Sequence, residues 1–337
     1  MANHEIFAAG DVTLQSGAVL PATQVAYRTH GRLNAARDNA IVYPTHYSGT
    51  HDSNAWAVGS GMALDPEKYF IIIPNMLCNG LSSSPSNTPP PHDGPRFPAV
   101  SLRDNVVLQH RLVTELFGIS TLALVTGHSM GAQQTFQWGA LYPDMVQRIA
   151  PFCGSARTSR HNWLFLEGCK SALVTDAAFA GGDYATPPVA GIRAFARVYA
   201  GWAWSQTFFR QQLDLERLGL LSMEAFLTQA WEPSLQAHDA NDLLAMLATW
   251  QAADISADPR FDNDFEMALA AITARAIVMP CRTDLYFPPE DSEIEVAHMP
   301  HAELRVIPSV WGHMAGGGIN PEDAVFIDAA LKELLAH

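Results

Sequence analysis

Three residues far apart in the chain carry side chains that together could activate a hydroxyl group: Ser129, Asp284 and His313. A serine hydroxyl is a weak nucleophile until a base takes its proton and nearby donors stabilise the oxyanion that follows. Ser129 lies in Gly127-His128-Ser129-Met130-Gly131, a G-x-S-x-G sequence. It is placed between the apolar, strand-like "TLALVTG" and the helix-like "SMGAQQTFQWGALY", which ends before Pro143. A strand that turns abruptly into a helix would hold the hydroxyl above a sheet, and glycines on both sides let the backbone take so strained a corner. In this arrangement the acid follows a late strand and the histidine sits in a loop before the last helix. "AIVMPCRTDLYFPPE" offers Asp284 and "VIPSVWGHMAGGGINPEDA" offers His313. Singly, Ser129 could cap a helix, Asp284 could form an Asx turn and His313 could be a loop histidine. In this order and on these elements, they predict acyl transfer through an acyl-serine.

The oxyanion needs two main-chain N–H donors. The residue after the nucleophile, Met130, supplies one, and the loop after an early strand, "YPTHYSGTH" (43–51), nominates Tyr47 for the other. His46 in that loop and His128 beside the serine are candidates to line a substrate pocket. Thirteen histidines also raise the question of a metal. The local clusters are His46/His51/Asp52 and His298/His301, and neither has the H-E-x-x-H spacing that puts two ligands on one helix face. No metal and no cofactor is expected.

The elements that must position these groups are legible as alternating runs. "QVAYRTHG" (24–31) alternates as a strand does, while "NAIVYPTH" (39–46), "YFIIIPN" (69–75), "LALVTG" (122–127) and "ARAIVMPC" (274–281) are continuous apolar runs. Such runs suit a sheet covered on both faces. "ELRVIP" (303–308) is a further candidate. "SLRDNVVLQHRLVTELFG" (101–118) has a helical period stopped by Gly118, and "NPEDAVFIDAALKELLAH" (320–337) opens with Asn, Pro and acids as a helix start. Strands alternating with helices predict a mostly parallel α/β sheet. From about 155 to 272 the strand signal gives way to aromatic-rich helical segments. The expected organisation is a core of residues 1–154 and 273–337 with a helical lid, 155–272, inserted in it.

Composition bounds the partners. The chain has 337 residues, 48% hydrophobic and 16% charged, and a net charge of −14. So acidic a protein repels phosphate backbones and anionic membranes, which argues against nucleic-acid or membrane-surface binding. No window holds the run of about 18 apolar residues that a membrane span needs. "MANHEIFAAGDVTLQSG" lacks the basic and apolar blocks of a secretory signal. Cys78, Cys153, Cys169 and Cys281 are widely spaced and read as reduced, buried thiols. A cytoplasmic location is the expectation.

With these motifs in place, the chain resembles the homoserine O-acetyltransferase family of the α/β-hydrolase superfamily. The resemblance runs through "VAYRTHGRLNAARDNAIV", "ALDPEKYFIIIPNML", "FPAVSLRDNVVLQHRLV", "GHSMGAQQTFQWGALYPDMV", "GGDY" and "TDLYFPPE". It implies an α/β-hydrolase core with a helical lid, a triad at Ser129, Asp284 and His313, and a homodimer through the lid. Three departures concern the substrate. The transferases typically read Gly-Gly-Ser-Met-Gly-Gly at the elbow, where this chain has His128 and ends the run with Ala132. They follow the catalytic histidine with an aspartate for the substrate amine, where this chain has Met314. They carry a lid arginine for the substrate carboxylate, where "FLEGCKSAL" offers Lys170. An ammonium facing Met314 would forgo a charge-assisted hydrogen bond of roughly 1.5–3 kcal/mol. The sequence looks like those family members that hydrolyse short acyl esters, an acetyl esterase type acting on a small ester. Acetyl-CoA-dependent acyl transfer is the alternative, and a catalytically inactive homologue is disfavoured by the complete triad.

Overall fold

A computed structural model describes residues 3–336; the outermost ends of the expected core, residues 1–2 and 337, lie outside the described residues. Eight strands form one sheet in the order β1-β2-β4-β3-β5-β6-β7-β8. They are β1 (Glu5–Thr13), β2 (Val19–His30), β3 (Ala40–Val42), β4 (Phe70–Pro74), β5 (Leu122–His128), β6 (Arg148–Phe152), β7 (Arg275–Val278) and β8 (Ala302–Leu304). β1 and β2 pair antiparallel, β2 pairs antiparallel with β4, and every later pairing is parallel. The expected α/β class is therefore correct, with a two-strand antiparallel edge added.

The central strands are apolar without alternation because helices cover both faces. β4 and β5 are buried at every position. β3 is shorter than its apolar run, although the Tyr43 and Thr45 N–H groups still donate to the Ile72 and Pro74 carbonyls of β4; Pro44 between them has no N–H to offer the ladder. Two strands have no counterpart in the sequence reading. β1 buries Phe7, Ala9 and Val12, but bulges around Gly10 break the two-residue period. β6, "RIAPF", is five residues long and contains a proline.

The helices are α1 (Leu102–Arg111), α2 (Met130–Leu141), α3 (Arg160–Val174), α4 (Val189–Ala203), α5 (Gln206–Arg210), α6 (Leu213–Glu216), α7 (Met223–Ala225), α8 (Glu232–Gln236), α9 (Ala240–Gln251), α10 (Phe265–Ala270), α11 (Pro289–His298) and α12 (Pro321–Ala336). α1 begins at a capping box, in which Ser101 Oγ accepts from the Asp104 N–H and Asp104 accepts from the Ser101 N–H. It runs on as a π-turn, Leu112–Leu116, and stops at Gly118 with φ of +61°. α3 to α10 all fall between β6 and β7. The described residues there form helices and turns, plus one isolated bridge between Arg157 and Asp254. This stretch is tied to the sheet by the Tyr47 hydroxyl, which donates to the Leu243 carbonyl at 3.0 Å.

Candidate active site

β5 ends at His128 and α2 begins at Met130, so Ser129 alone makes the corner between strand and helix. Its backbone has φ of +57° and ψ of −124°, a strained conformation for a residue with a Cβ. The flanking glycines have a steric reason. A Cβ on Gly127 would come within 2.3 Å of the Gly131 carbonyl carbon, and one on Gly131 would meet the Pro44 carbonyl oxygen at 2.7 Å. A Cβ on Gly154, in the loop after β6, would press on the Ser129 carbonyl oxygen at 2.7 Å. The corner is thus packed between two loops that follow strands on either side of β5.

His313 Nε2 lies 2.9 Å from Ser129 Oγ, and His313 Nδ1 lies 2.8 Å from Asp284 Oδ2. The carboxylate can only accept, so Nδ1 carries the proton and Nε2 presents a lone pair to the serine O–H. Asp284 is held in turn by the Tyr286 and Phe287 N–H groups, both donating to Oδ1 at 2.8 and 3.2 Å. All three residues are buried. The His313 loop follows Gly312, whose φ is +64°, and a Cβ there would strike the Ser205 nitrogen at 2.8 Å. The rings of Tyr286 and Phe287 confine the imidazole, with centroids 4.5 and 5.6 Å away.

His128 does more than line the site. Its Nε2–H donates to the main-chain carbonyl of His313 at 3.2 Å, and the two rings stack with centroids 4.7 Å apart. Its Nδ1 is buried with no partner. Burial first, and then the proximity of His313 and His46, holds His128 well below the ordinary histidine range, so the ring is neutral. His46 packs edge-on against it at 5.1 Å and donates from Nδ1 to the Tyr47 carbonyl. Burial brings its pKa down to about 4.

A cavity of about 440 Å³ opens over Ser129. Its floor holds His46, Tyr47, His128, His313 and Met314. Its far wall is Tyr199, Trp204, Leu218, Phe226, Trp231 and Leu235, all from the stretch between β6 and β7. None of these six stands out in the sequence. Apolar helix residues look like ordinary core, and only the recurrence of Phe226, Ala230, Trp231 and Leu235 at helical spacing hinted at one shared face. Met130, at the first position of α2, has an N–H that the helix itself cannot use. The Tyr47 ring is turned away into the helices, within 5.7 Å of both Tyr199 and Trp250, while the residue lines the cavity.

One expected pocket residue is elsewhere. Lys170 lies on α3 with its side chain 46% exposed and paired to Glu167 at 3.4 Å. Its face of α3 points outward, so it does not line the cavity. His51, of the cluster His46/His51/Asp52, bonds Asn75 and Asn3 and does not line the cavity. Among the described residues, no group of three or more His, Cys, Asp or Glu is placed to hold a metal ion.

The family model described as alpha/beta hydrolase fold matches residues 45–316. The chain belongs to the alpha/beta hydrolases. This hydrolase is 40% identical to an ethyl acetate hydrolase of Pseudomonas veronii over 98% of its own length and 95% of the relative's. It superposes on the crystal structure of an acetylester hydrolase from Corynebacterium glutamicum with a TM-score of 0.96 and 38% identity, covering 99% of this chain and 96% of that one. It is more distantly similar, at 32% identity over 96% of this chain and 90% of the relative, to a homoserine O-acetyltransferase of Trichormus variabilis.

Proposed function

We propose that this alpha/beta hydrolase is a carboxylic-ester hydrolase that cleaves short-chain acyl esters, acetyl esters above all, through Ser129, His313 and Asp284. The observation that carries the reading is the unbroken chain of contacts from Asp284 through His313 to Ser129 Oγ, at 2.8 and 2.9 Å, beneath a largely apolar cavity. His313 Nε2 takes the serine proton as Oγ attacks the ester carbonyl. The Tyr47 and Met130 N–H groups receive the oxyanion, and the imidazolium, held by Asp284, returns its proton to the departing alcohol. Water, deprotonated by the same imidazole, then releases the acid and restores the serine.

The acceptor is what separates hydrolysis from acyl transfer. Met314 stands beside His313 on the cavity floor and offers no charge to an amine. Lys170 is too far out on α3 to meet a substrate carboxylate. A neutral ester suits this lining, and an amino acid does not. The kinship to ester hydrolases agrees with this preference. The deciding test compares release of p-nitrophenol from p-nitrophenyl acetate with acetyl transfer from acetyl-CoA to homoserine. Hydrolysis should dominate; faster transfer would restore the acetyltransferase reading.

Two further features fit this function. Trp163, Leu164 and Val174 on α3 and Val198 on α4 are exposed apolar side chains, and we propose that they pair two copies of the chain through their lids. Light scattering should give a dimer, and Leu164→Glu should give a monomer. The four cysteines are buried and unpaired, which suits the reducing cytoplasm.

A further inference from the structure

Behind the far wall of the cavity lies a charge cluster that the chemistry does not use. Glu232 is buried, its side chain only 4% exposed, and both carboxylate oxygens are taken. Arg193 Nε donates to Oε2 at 2.7 Å and Arg197 Nε donates to Oε1 at 2.6 Å. The two arginines stand four residues apart on α4 and so share one face. Arg197 also reaches Glu224 with Nη2, at 2.8 Å. α4 therefore grips the stretch from α7 to α8 at two points, Glu224 and Glu232.

What lies between the grips is the wall itself. Phe226–Trp231 is a π-turn, and it presents Phe226, Ala230 and Trp231 to the cavity, with Leu235 one turn later on α8. A π-turn gives up the regular helical hydrogen-bond register, so its position must be set from outside. α4 also supplies Tyr199 to the cavity, two residues beyond Arg197, and the Tyr199 and Trp231 rings are 5.9 Å apart. The clamp thus sets how α4 and the Phe226–Trp231 stretch meet along the far wall. A buried carboxylate cannot drift from its cations without being stranded, which gives the wall one position rather than several.

We propose that Glu232 is a positioning residue for substrate size: clamped by Arg193 and Arg197, it holds the Phe226–Trp231 wall against Tyr199 and so limits the length of ester the cavity admits. This rests on the ester-hydrolase reading above. The test uses the full chain and two ester series, p-nitrophenyl acetate against octanoate and ethyl acetate against hexyl acetate. For Glu232→Gln, the kcat/KM ratio of the long to the short ester should rise threefold or more in at least one series, carried by KM of the long ester. Acetate turnover should stay within twofold. Trp231→Ala opens the wall directly and sets the scale. A smaller rise in both series for Glu232→Gln would overturn the proposal. Should that variant fail to fold, Arg193→Gln is read by the same thresholds. Should the wild type hydrolyse no ester, the function fails rather than the clamp. The clamp is then decided by acrylamide quenching of Trp231 fluorescence (wild type minus Trp231→Phe), which must rise in Glu232→Gln and contradicts the proposal if unchanged.

Discussion

At the C-terminal ends of the parallel strands, the groups proposed for chemistry are fixed by backbone: Asp284 by two N–H groups, His128 to the His313 carbonyl, and Ser129 by a corner that three glycines allow. In the helices above, the cavity wall is fixed mainly by side chains, through Arg193, Arg197 and Glu232 on one side and packed aromatic rings on the other. Backbone anchors hold a bond distance to tenths of an ångström and leave little freedom for substitution. Side-chain anchors set a wall that can move as single residues change. In the proposed function, the choice of reaction thus resides in one region and the limit on ester size in the other.

The largest effect is expected at Asp284. In Asp284→Asn, the Tyr286 and Phe287 N–H groups hold the amide oxygen on their side, so the NH2 faces His313 Nδ1. The imidazole must then carry its proton on Nε2 and cannot accept from the serine. Loss of kcat should reach about 10⁴-fold with the fold intact, by analogy with the same change in other triads. A loss under tenfold would mean that the backbone anchors do not set the tautomer.

Met314→Asp sharpens the boundary between reaction and selection. It places a carboxylate beside His313, where an amine could use it. Acetyl transfer to homoserine relative to hydrolysis should rise about ten- to a hundredfold, the equivalent of roughly 1.5–3 kcal/mol. Mass spectrometry of acetylhomoserine against free acetate in one tube reads the ratio. An unchanged ratio would place selection elsewhere in the cavity.

A smaller effect comes from the neutral histidines of the floor. Burial keeps His46 neutral down to about 4 and holds His128 well below the ordinary histidine range, whereas both take a proton at about 6.5 once unfolded. Between those values the unfolded chain binds more protons, so stability should fall as pH drops from 6.5 toward 4. His46→Gln should flatten the slope of Tm against pH in that window by a few degrees. A slope equal to that of the wild type would show that His46 charges without penalty in the folded protein.

The smallest change is expected at Lys170. Its exposed pair with Glu167 is worth about 0–1 kcal/mol. Lys170→Ala should leave ester hydrolysis within twofold, and a tenfold loss would return it to the substrate's path.

These contrasts also explain what the residues disclosed by themselves. β4, β5 and the Ser129 corner were legible because a buried parallel strand is a continuous apolar run and a tight corner needs its glycines. β6 was hidden by the proline inside its short run, and β1 by bulges that spoil the alternation. Lys170 misled because charge can be read from a sequence but the face of a helix cannot, and that face depends on how α3 packs on its neighbours. Trp231 and Glu232 were silent for the same reason. A helical wall and its charged anchor have the composition of any amphipathic helix until the partner, here α4, is in place.

In the proposed reaction, Ser129 alone carries the acyl group. Incubation with a fluorophosphonate, followed by intact-mass and peptide mass spectrometry, tests it most directly. The expected result is one adduct per chain, on the peptide containing Ser129, with ester hydrolysis lost in proportion to labelling and no adduct in Ser129→Ala. Stoichiometric labelling that survives in Ser129→Ala, or full labelling of Ser129 with hydrolysis undiminished, would contradict it.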